Sequence, residues 1–291
     1  MKHIGLMIVT ILLLGGGLTL WQINMPSRVP RDKIDAIFFL NANHGFIQVV
    51  ESPHTSAYET LDGGETWKRI DEGVPGFRRG RSFATKSKGW SIDENSFDHS
   101  TVYRTEDGGS TWVASFKTQQ SVSEFVFGGL QAISEEEAWA IGLSGTYHTV
   151  DGGKAWEVAG PAGTGVQFLD AKRGWIDGDK LWRTDNGGKT WESVESDGKS
   201  CFGGLGFFFL DEKHAWAVGG QTEGHMEGGA QTGFVTASTD GGKTCEETTR
   251  IPDHYFWSVF FLNEQEGWVG GIGSLLKTAD GGQTWTEVKA K

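Results

Sequence analysis

An all-β fold of repeated four-stranded units is what this chain of 291 residues predicts, on three observations. The first is an octapeptide that recurs six times: Thr60–Trp67, Thr105–Trp112, Thr149–Trp156, Thr184–Trp191, Ser238–Cys245 and Thr278–Trp285. Its third positions, Asp62, Asp107, Asp151, Asn186, Asp240 and Asp280, stand 45, 44, 35, 54 and 40 residues apart. The second is an apolar run, a short polar turn and another apolar run before each octapeptide, which reads as two antiparallel strands. The third is composition: 44 Gly and 13 Trp suit short strands, tight turns and aromatic packing. A period of roughly 40 residues with strand-like flanks is the mark of β-propeller blades. Six blades account for residues from about Ile34 to Val288, and a seventh could come only from the insertions. No unit is split between the termini, so ring closure is expected to rest on packing of the last blade against the first.

The octapeptide has the chemistry of a tight hairpin turn. Its Asp or Asn side chain can fold back onto turn amides, and the two glycines that follow supply positive φ. Thr or Ser hydroxyls can satisfy further backbone groups. The closing Trp67, Trp112, Trp156, Trp191 and Trp285 begin an outgoing strand and offer surface for packing between blades. All these residues are therefore read as structural.

The upstream element fixes the register of each blade. It is written Phe38-Phe39-Leu40-Asn41 before Gly45-Phe46, and Phe168-Leu169-Asp170 before Gly174-Trp175. It returns as Phe208-Phe209-Leu210-Asp211 before Ala215-Trp216, and Phe260-Phe261-Leu262-Asn263 before Gly267-Trp268. The second and third units show only its latter half, Gly89-Trp90 and Ala138-Trp139.

The octapeptide resembles the Asp box, or bacterial neuraminidase repeat, of sialidases, sortilin-type receptors and some endoglucanases. Together with the upstream element, it more closely resembles the photosystem II stability and assembly factor family of propellers, over nearly all of the chain beyond the N-terminus. That resemblance implies a non-enzymatic protein that binds a membrane complex or its assembly intermediates. The sialidase resemblance implies a glycosidase or a glycan-binding surface protein as the alternative.

A net charge of −12 argues against general nucleic-acid binding, which needs a basic footprint. Lys2 and His3 precede an apolar stretch from Ile4 to Trp21, so residues 1–24 read as an export signal or an apolar membrane-anchoring helix, with no Ala-x-Ala cleavage site. Residues 25–33 form a linker and 34–291 the propeller, expected outside the cytoplasm. Arg28, Arg31 and Lys33 compete with Lys2 over orientation. The two cysteines, Cys201 and Cys245, bracket the fifth unit; Cys245 takes the place of Trp, leaving a hole that a disulfide could help stabilise.

Function is expected on the face opposite the octapeptide turns, where the irregular residues lie. The best contact candidate is the cluster Phe77, Arg78, Arg79 and Arg81 between the first two units, joined by Arg250 and His254 between the fifth and sixth. Arg250-Ile251-Pro252 also matches a sialidase tripeptide but follows the fifth box rather than preceding the first. A sialidase-like site would have to be nominated from Arg78 or Arg79, Arg183, Arg250 and Tyr255, with no motif selecting them. The insertion Gly219–Gly233 carries Glu223, His225 and Glu227 in a glycine-rich loop, and the second unit carries Asp93, Glu94, Asp98 and His99; neither matches a metal-ligand motif. No nucleotide loop, nucleophile elbow or Cys-x-x-Cys is present, so neither cofactor nor metal is expected.

Overall fold

The computed structural model describes residues 33–51, 54–70, 79–85, 87–96, 99–117, 125–142, 144–194, 202, 204–223 and 230–288. The expected helix at the N-terminus lies outside them, and among the described residues no helix is long and apolar enough to cross a membrane. The chain forms six four-stranded antiparallel sheets, each in chain order. Blade one holds β1 (Lys33–Phe39), β2 (Gly45–Glu51), β3 (His54–Thr60) and β4 (Lys68–Arg69). Blade two holds β5 (Arg79–Phe83), β6 (Gly89–Ser96), β7 (His99–Thr105) and β8 (Val113–Lys117). Blade three holds β9 (Phe125–Ala132), β10 (Ala138–Gly142), β11 (Gly145–Thr149) and β12 (Glu157–Gly160). Blade four holds β13 (Gly165–Phe168), β14 (Gly174–Asp177), β15 (Leu181–Thr184) and β16 (Glu192–Ser193). Blade five holds β17 (Gly206–Phe209), β18 (Ala215–Glu223), β19 (Ala230–Ser238) and β20 (Glu246–Pro252). Blade six holds β21 (Phe256–Phe261), β22 (Gly267–Gly271), β23 (Leu275–Thr278) and β24 (Thr286–Glu287). First strands of neighbouring blades lie side by side, from β5 and β9 round to β21 and β1, and so line the central axis.

One aromatic arrangement is reused at the joints between blades. The Trp of a second strand stacks on the Phe that ends the first strand of the next blade: Trp175 on Phe209 at 4.1 Å, Trp216 on Phe261 at 3.6 Å and Trp268 on Phe39 at 3.8 Å. The octapeptide Trp then meets that Phe edge-on from within its own blade, Trp67 on Phe39 and Trp285 on Phe261. Edge-to-face contacts are a favoured aromatic geometry, and Trp67, Trp175, Trp268, Phe39, Phe209 and Phe261 are among the largest fully buried side chains. Because Trp268 is in blade six and Phe39 in blade one, the ring closes with the same joint used elsewhere. A bridge between Lys33 and Ile272 and a hydrogen bond from Ser258 Oγ to Ile34 O at 3.2 Å complete the closure.

Backbone recognition adds to two joints. Gln131 Nε2 donates to Phe168 O at 2.9 Å while Phe168 N–H donates to Gln131 Oε1. Gln167 repeats this on Phe209 one blade later, both contacts at 2.8 Å. A Gln can thus satisfy a neighbouring blade's peptide group as a missing strand would.

The octapeptide turns have the expected chemistry. All twelve of their glycines have φ between 70 and 103, the left-handed region. In blade two, Thr105 Oγ1 accepts from Gly109 N–H at 2.8 Å and donates to Asp107 Oδ1 at 2.8 Å. Asp107 then accepts from Thr111 N–H and Thr111 Oγ1. The first glycine of each turn also donates to the preceding turn of its blade, as Gly63 to Asn43 O at 2.7 Å and Gly281 to Gln265 O at 3.0 Å. Hydrogen bonds to the carboxylate, first from the Thr111 and Thr284 hydroxyls, pull Asp107 and Asp280 down to about 2 from 3.8. Groups depressed in this way stabilise the fold fully above pH 4, and that contribution fades as pH falls towards 2. The expected result is that Asp107→Asn and Asp280→Asn variants lose less thermal stability than the parent between pH 4 and pH 2. Melting curves across that window check it.

Three expectations are corrected. The insertion Gly219–Gly233 is for the most part not a loop: β18 and β19 pair from Ala215↔Ser238 out to Glu223↔Ala230, making a long hairpin arm. Its glycines permit close packing, with the Tyr255 ring against Gly220 and Phe256 against Gly233. His225 and Glu227 at its tip lie outside the described residues. Similarly, Asp93 and Glu94 of the acidic segment of blade two lie on β6 and His99 on β7, with Asp93 opposite Thr101, while Asp98 lies outside the described residues. The hole at Cys245 is also not left empty. Phe202, 1 % exposed, stacks on Phe209 at 5.4 Å and faces Gly242, where other blades place the octapeptide Trp against the second glycine. Cys245 is disulfide-bonded, and Cys201, the chain's other cysteine, lies outside the described residues.

Candidate functional site

In every blade the first strand runs from the blade-to-blade connections towards the octapeptide turns. Its starting residues therefore ring one end of the axial channel, the face opposite those turns. A cavity of about 500 Å3 opens there. Lys33 and Asp35 enter from β1, Gln131 from β9, Gln167 from β13, Phe207 from β17 and Trp257 from β21, with Gln48 and Asp177 from second strands.

The lining has a defined division of labour. Lys33 Nζ pairs with Asp35 Oδ1 at 2.6 Å and sits 3.8 Å from the centre of the Trp257 ring, a cation–π contact. Gln131 and Gln167 are held by the clamps on the next blade. Asp177 is a buried carboxylate, 3 % exposed, whose main-chain carbonyl accepts from Thr164 N–H at 2.6 Å. Gln48 Nε2 has no hydrogen-bond partner among the described residues. Leu205, Phe207 and Trp257 supply apolar wall. Such a mixed recess holds a ligand by apolar contact and a few directed hydrogen bonds.

The sequence-predicted contacts are spread over several elements. Arg79 and Arg81 are not in the connection but on β5, the innermost strand of blade two, opposite Ile92 and Ser91; Phe77 and Arg78 lie outside the described residues. The bulge between Arg79 and Arg81 explains the misreading, since it breaks the alternation that marks a strand. Arg250 is on β20, the outermost strand of blade five, held by Glu247 at 2.6 and 2.7 Å and by Gln221 at 3.0 Å. His254 is half-buried, its Nδ1 2.8 Å from Pro252 O. Arg183 pairs with Asp185 and Glu212 at the octapeptide end of blade four. Among the described residues, Arg183, Arg250 and Tyr255 therefore do not converge on one centre.

The sequence did carry a signal for Asp177 and Gln48. Aligning the second strands by register puts Gln48 and Asp177 in the column that holds Ile92, Ile141, Val218 and Gly270 elsewhere. Polar residues in an otherwise apolar column, facing the axis, mark the lining.

The octapeptide face carries another repeated contact. Lys88 reaches Glu135 in the next blade at 2.5 Å, and Arg173 binds Asp170 and reaches Glu212 across its joint. His214, in the equivalent place one blade later, lies 2.8 Å from Asp211 and 3.8 Å from Glu264. Asp211, His214 and Glu264 bring metal-ligating atoms together, but they repeat an arrangement that is an ion pair at the preceding joint.

No protein-family model and no curated protein matches this chain. Among solved structures it is similar to YCF48 bound to D1 peptide, with a TM-score of 0.50 and 20% identity over 90% of this chain and 84% of that one. It is also similar to the GH74 xyloglucanase of Xanthomonas campestris, with a TM-score of 0.58 and 13% identity over 90% of this chain but 46% of that one. An ancestral GH74 enzyme aligns with a TM-score of 0.53 and 10% identity, over 93% of this chain and 39% of that one. The chain thus spans less than half the length of the GH74 proteins. What these similarities share with the chain is the propeller fold.

Proposed function

We propose that this protein is a non-enzymatic, membrane-tethered propeller outside the cytoplasm that binds protein at the channel mouth and assists assembly or stability of a membrane complex. The observation that carries the reading is where the propeller begins: β1 starts with Lys33 in the lining of the mouth. The apolar stretch from Ile4 to Trp21 ends only twelve residues earlier, a span of at most about 40 Å even when fully extended. An anchor there would hold the mouth at the membrane surface, where segments of membrane proteins emerge. The fold shared with a YCF48 that binds a D1 peptide supports the same reading. Arg79 and Arg81, on the strand that starts at this mouth, and Arg78 before it remain the proposed charged contact.

The test is charge reversal of Arg78, Arg79 and Arg81 to Glu. Recovery of a partner from gently solubilised membranes is expected to fall at least tenfold with an unchanged melting curve; full recovery would remove the cluster from the reading. A second reading, glycan binding or cleavage, is favoured by Trp257 and Phe207 in the cavity wall. Turnover of xyloglucan or a sialoside by the purified protein would support it.

A further inference from the structure

We propose that the inner edge of the blade-five arm, at Gly220 and Thr222, is a strand-addition site for an extended polypeptide segment that then enters the channel mouth. The proposal deepens the protein-binding reading and rests on it.

The argument starts from register. Leu205 N–H donates to Val218 O at 2.8 Å, so Val218 turns its backbone groups towards the innermost strand. In an antiparallel strand these directions alternate, so Gly220 and Thr222 turn their N–H and C=O the same way, while Gly219 and Gln221 face β19. The innermost strand of this blade begins opposite Val218, where Gly206 pairs with it, and among the described residues no strand pairs with the inner edge of β18 beyond that point. Among the described residues no hydrogen bond reaches the inner edge of Gly220 or Thr222. In blades one, four and six the first strand accompanies the second almost to its end, at Lys33↔Val50, Gly165↔Asp177 and Phe256↔Gly271. The unaccompanied stretch of β18 is therefore not part of the repeat; among the described residues it is shared with blade two, where β6 runs on to Ser96 beyond Arg79↔Ile92.

Open edges invite pairing, and proteins blunt them with Lys, Pro or a bulge. The run Gly219-Gly220-Gln221-Thr222 has none of these. Tyr255 covers a face of the arm at Gly220, which stiffens it without blocking the edge. Two donor–acceptor sets two residues apart, about 7 Å along a strand, match the repeat of an extended peptide. The hydroxyls of a glycan have no such register. A segment paired here continues along the axis into the cavity walled by Leu205, Phe207 and Trp257.

The test uses the full chain in detergent micelles and a phage-displayed library of random nonapeptides as the probe. Selected peptides are expected to slow hydrogen exchange of the Gly220 and Thr222 amides at least tenfold. N-methylation of alternate peptide amides is expected to weaken binding at least tenfold. Thr222→Pro removes an N–H that the arm itself does not use, and is expected to weaken binding at least tenfold with an unchanged melting temperature. Binding that leaves these amides unprotected, or that tolerates both changes, overturns the proposal, as does a library that yields no binder. Peptide binding that survives the arginine reversal would keep this site and retire the arginine contact, so the two can fail separately.

Discussion

Trp268→Ala is expected to lower stability by about 4 kcal/mol, the range for truncating a buried aromatic residue. For a domain whose total is about 5–15 kcal/mol, this is enough to leave the ring marginal. Trp268 is fully buried and stacks on Phe39 at 3.8 Å with 7° between the planes. The pair lies within the core cluster that joins blade six to blade one, where no strand is shared between the two blades. Denaturant titration of Trp268→Ala, Phe39→Ala and the double variant should show coupling of about 1 kcal/mol between the rings. Strict additivity would mean that the stack contributes only through its area. Trp182→Ala, at a part-exposed ring whose Nε1 contacts Asp179 at 3.3 Å, should change stability by about 0.5 kcal/mol or less.

The second large effect is expected at Phe202, which fills in blade five the slot that Trp67, Trp112 and Trp285 fill in theirs. Phe202→Ala should cost about 3–4 kcal/mol, because the walls formed by Phe209, Leu181 and Gly242 cannot close over the gap. Adding Cys245→Trp to that variant should recover part of the loss by restoring the ring from its usual position. Chemical denaturation of the two variants, both measured under reducing conditions, decides the matter. If the double variant is the less stable, Phe202 is not standing in for the missing Trp.

The parts of this fold that are local in the chain were legible from sequence. Each octapeptide needs its Gly pair for positive φ and its Thr and Asp for turn amides, so the six turns and the blade count could be read directly. The joints could not. The Gln131 clamp on Phe168 joins residues 37 apart, and nothing in the neighbourhood of Gln131 indicates a backbone partner. The blade-five arm read as a loop because glycines dominate it; packing against Tyr255 and Phe256 overrides their weak strand preference. Phe202 escaped notice because its partner is defined by a residue missing from a repeat, not by one present. The candidate site is less legible: Arg79 and Arg81 sit on a bulged inner strand that hides the alternation of a strand, and Arg250, a candidate contact, is engaged by Glu247 and Gln221 on an outer strand. Asp177 and Gln48 became visible only when the second strands were compared column by column.

Protein binding at the membrane is tested most directly by co-purification. The full chain, tagged at its C-terminus and expressed in its own membranes, would be gently solubilised, and what travels with it identified by mass spectrometry against the N-terminal segment alone. Reproducible recovery of subunits of one membrane complex, absent from the control, is the predicted result. A protein found only in the soluble fraction, or recovered from membranes with nothing beyond the control, would contradict the account.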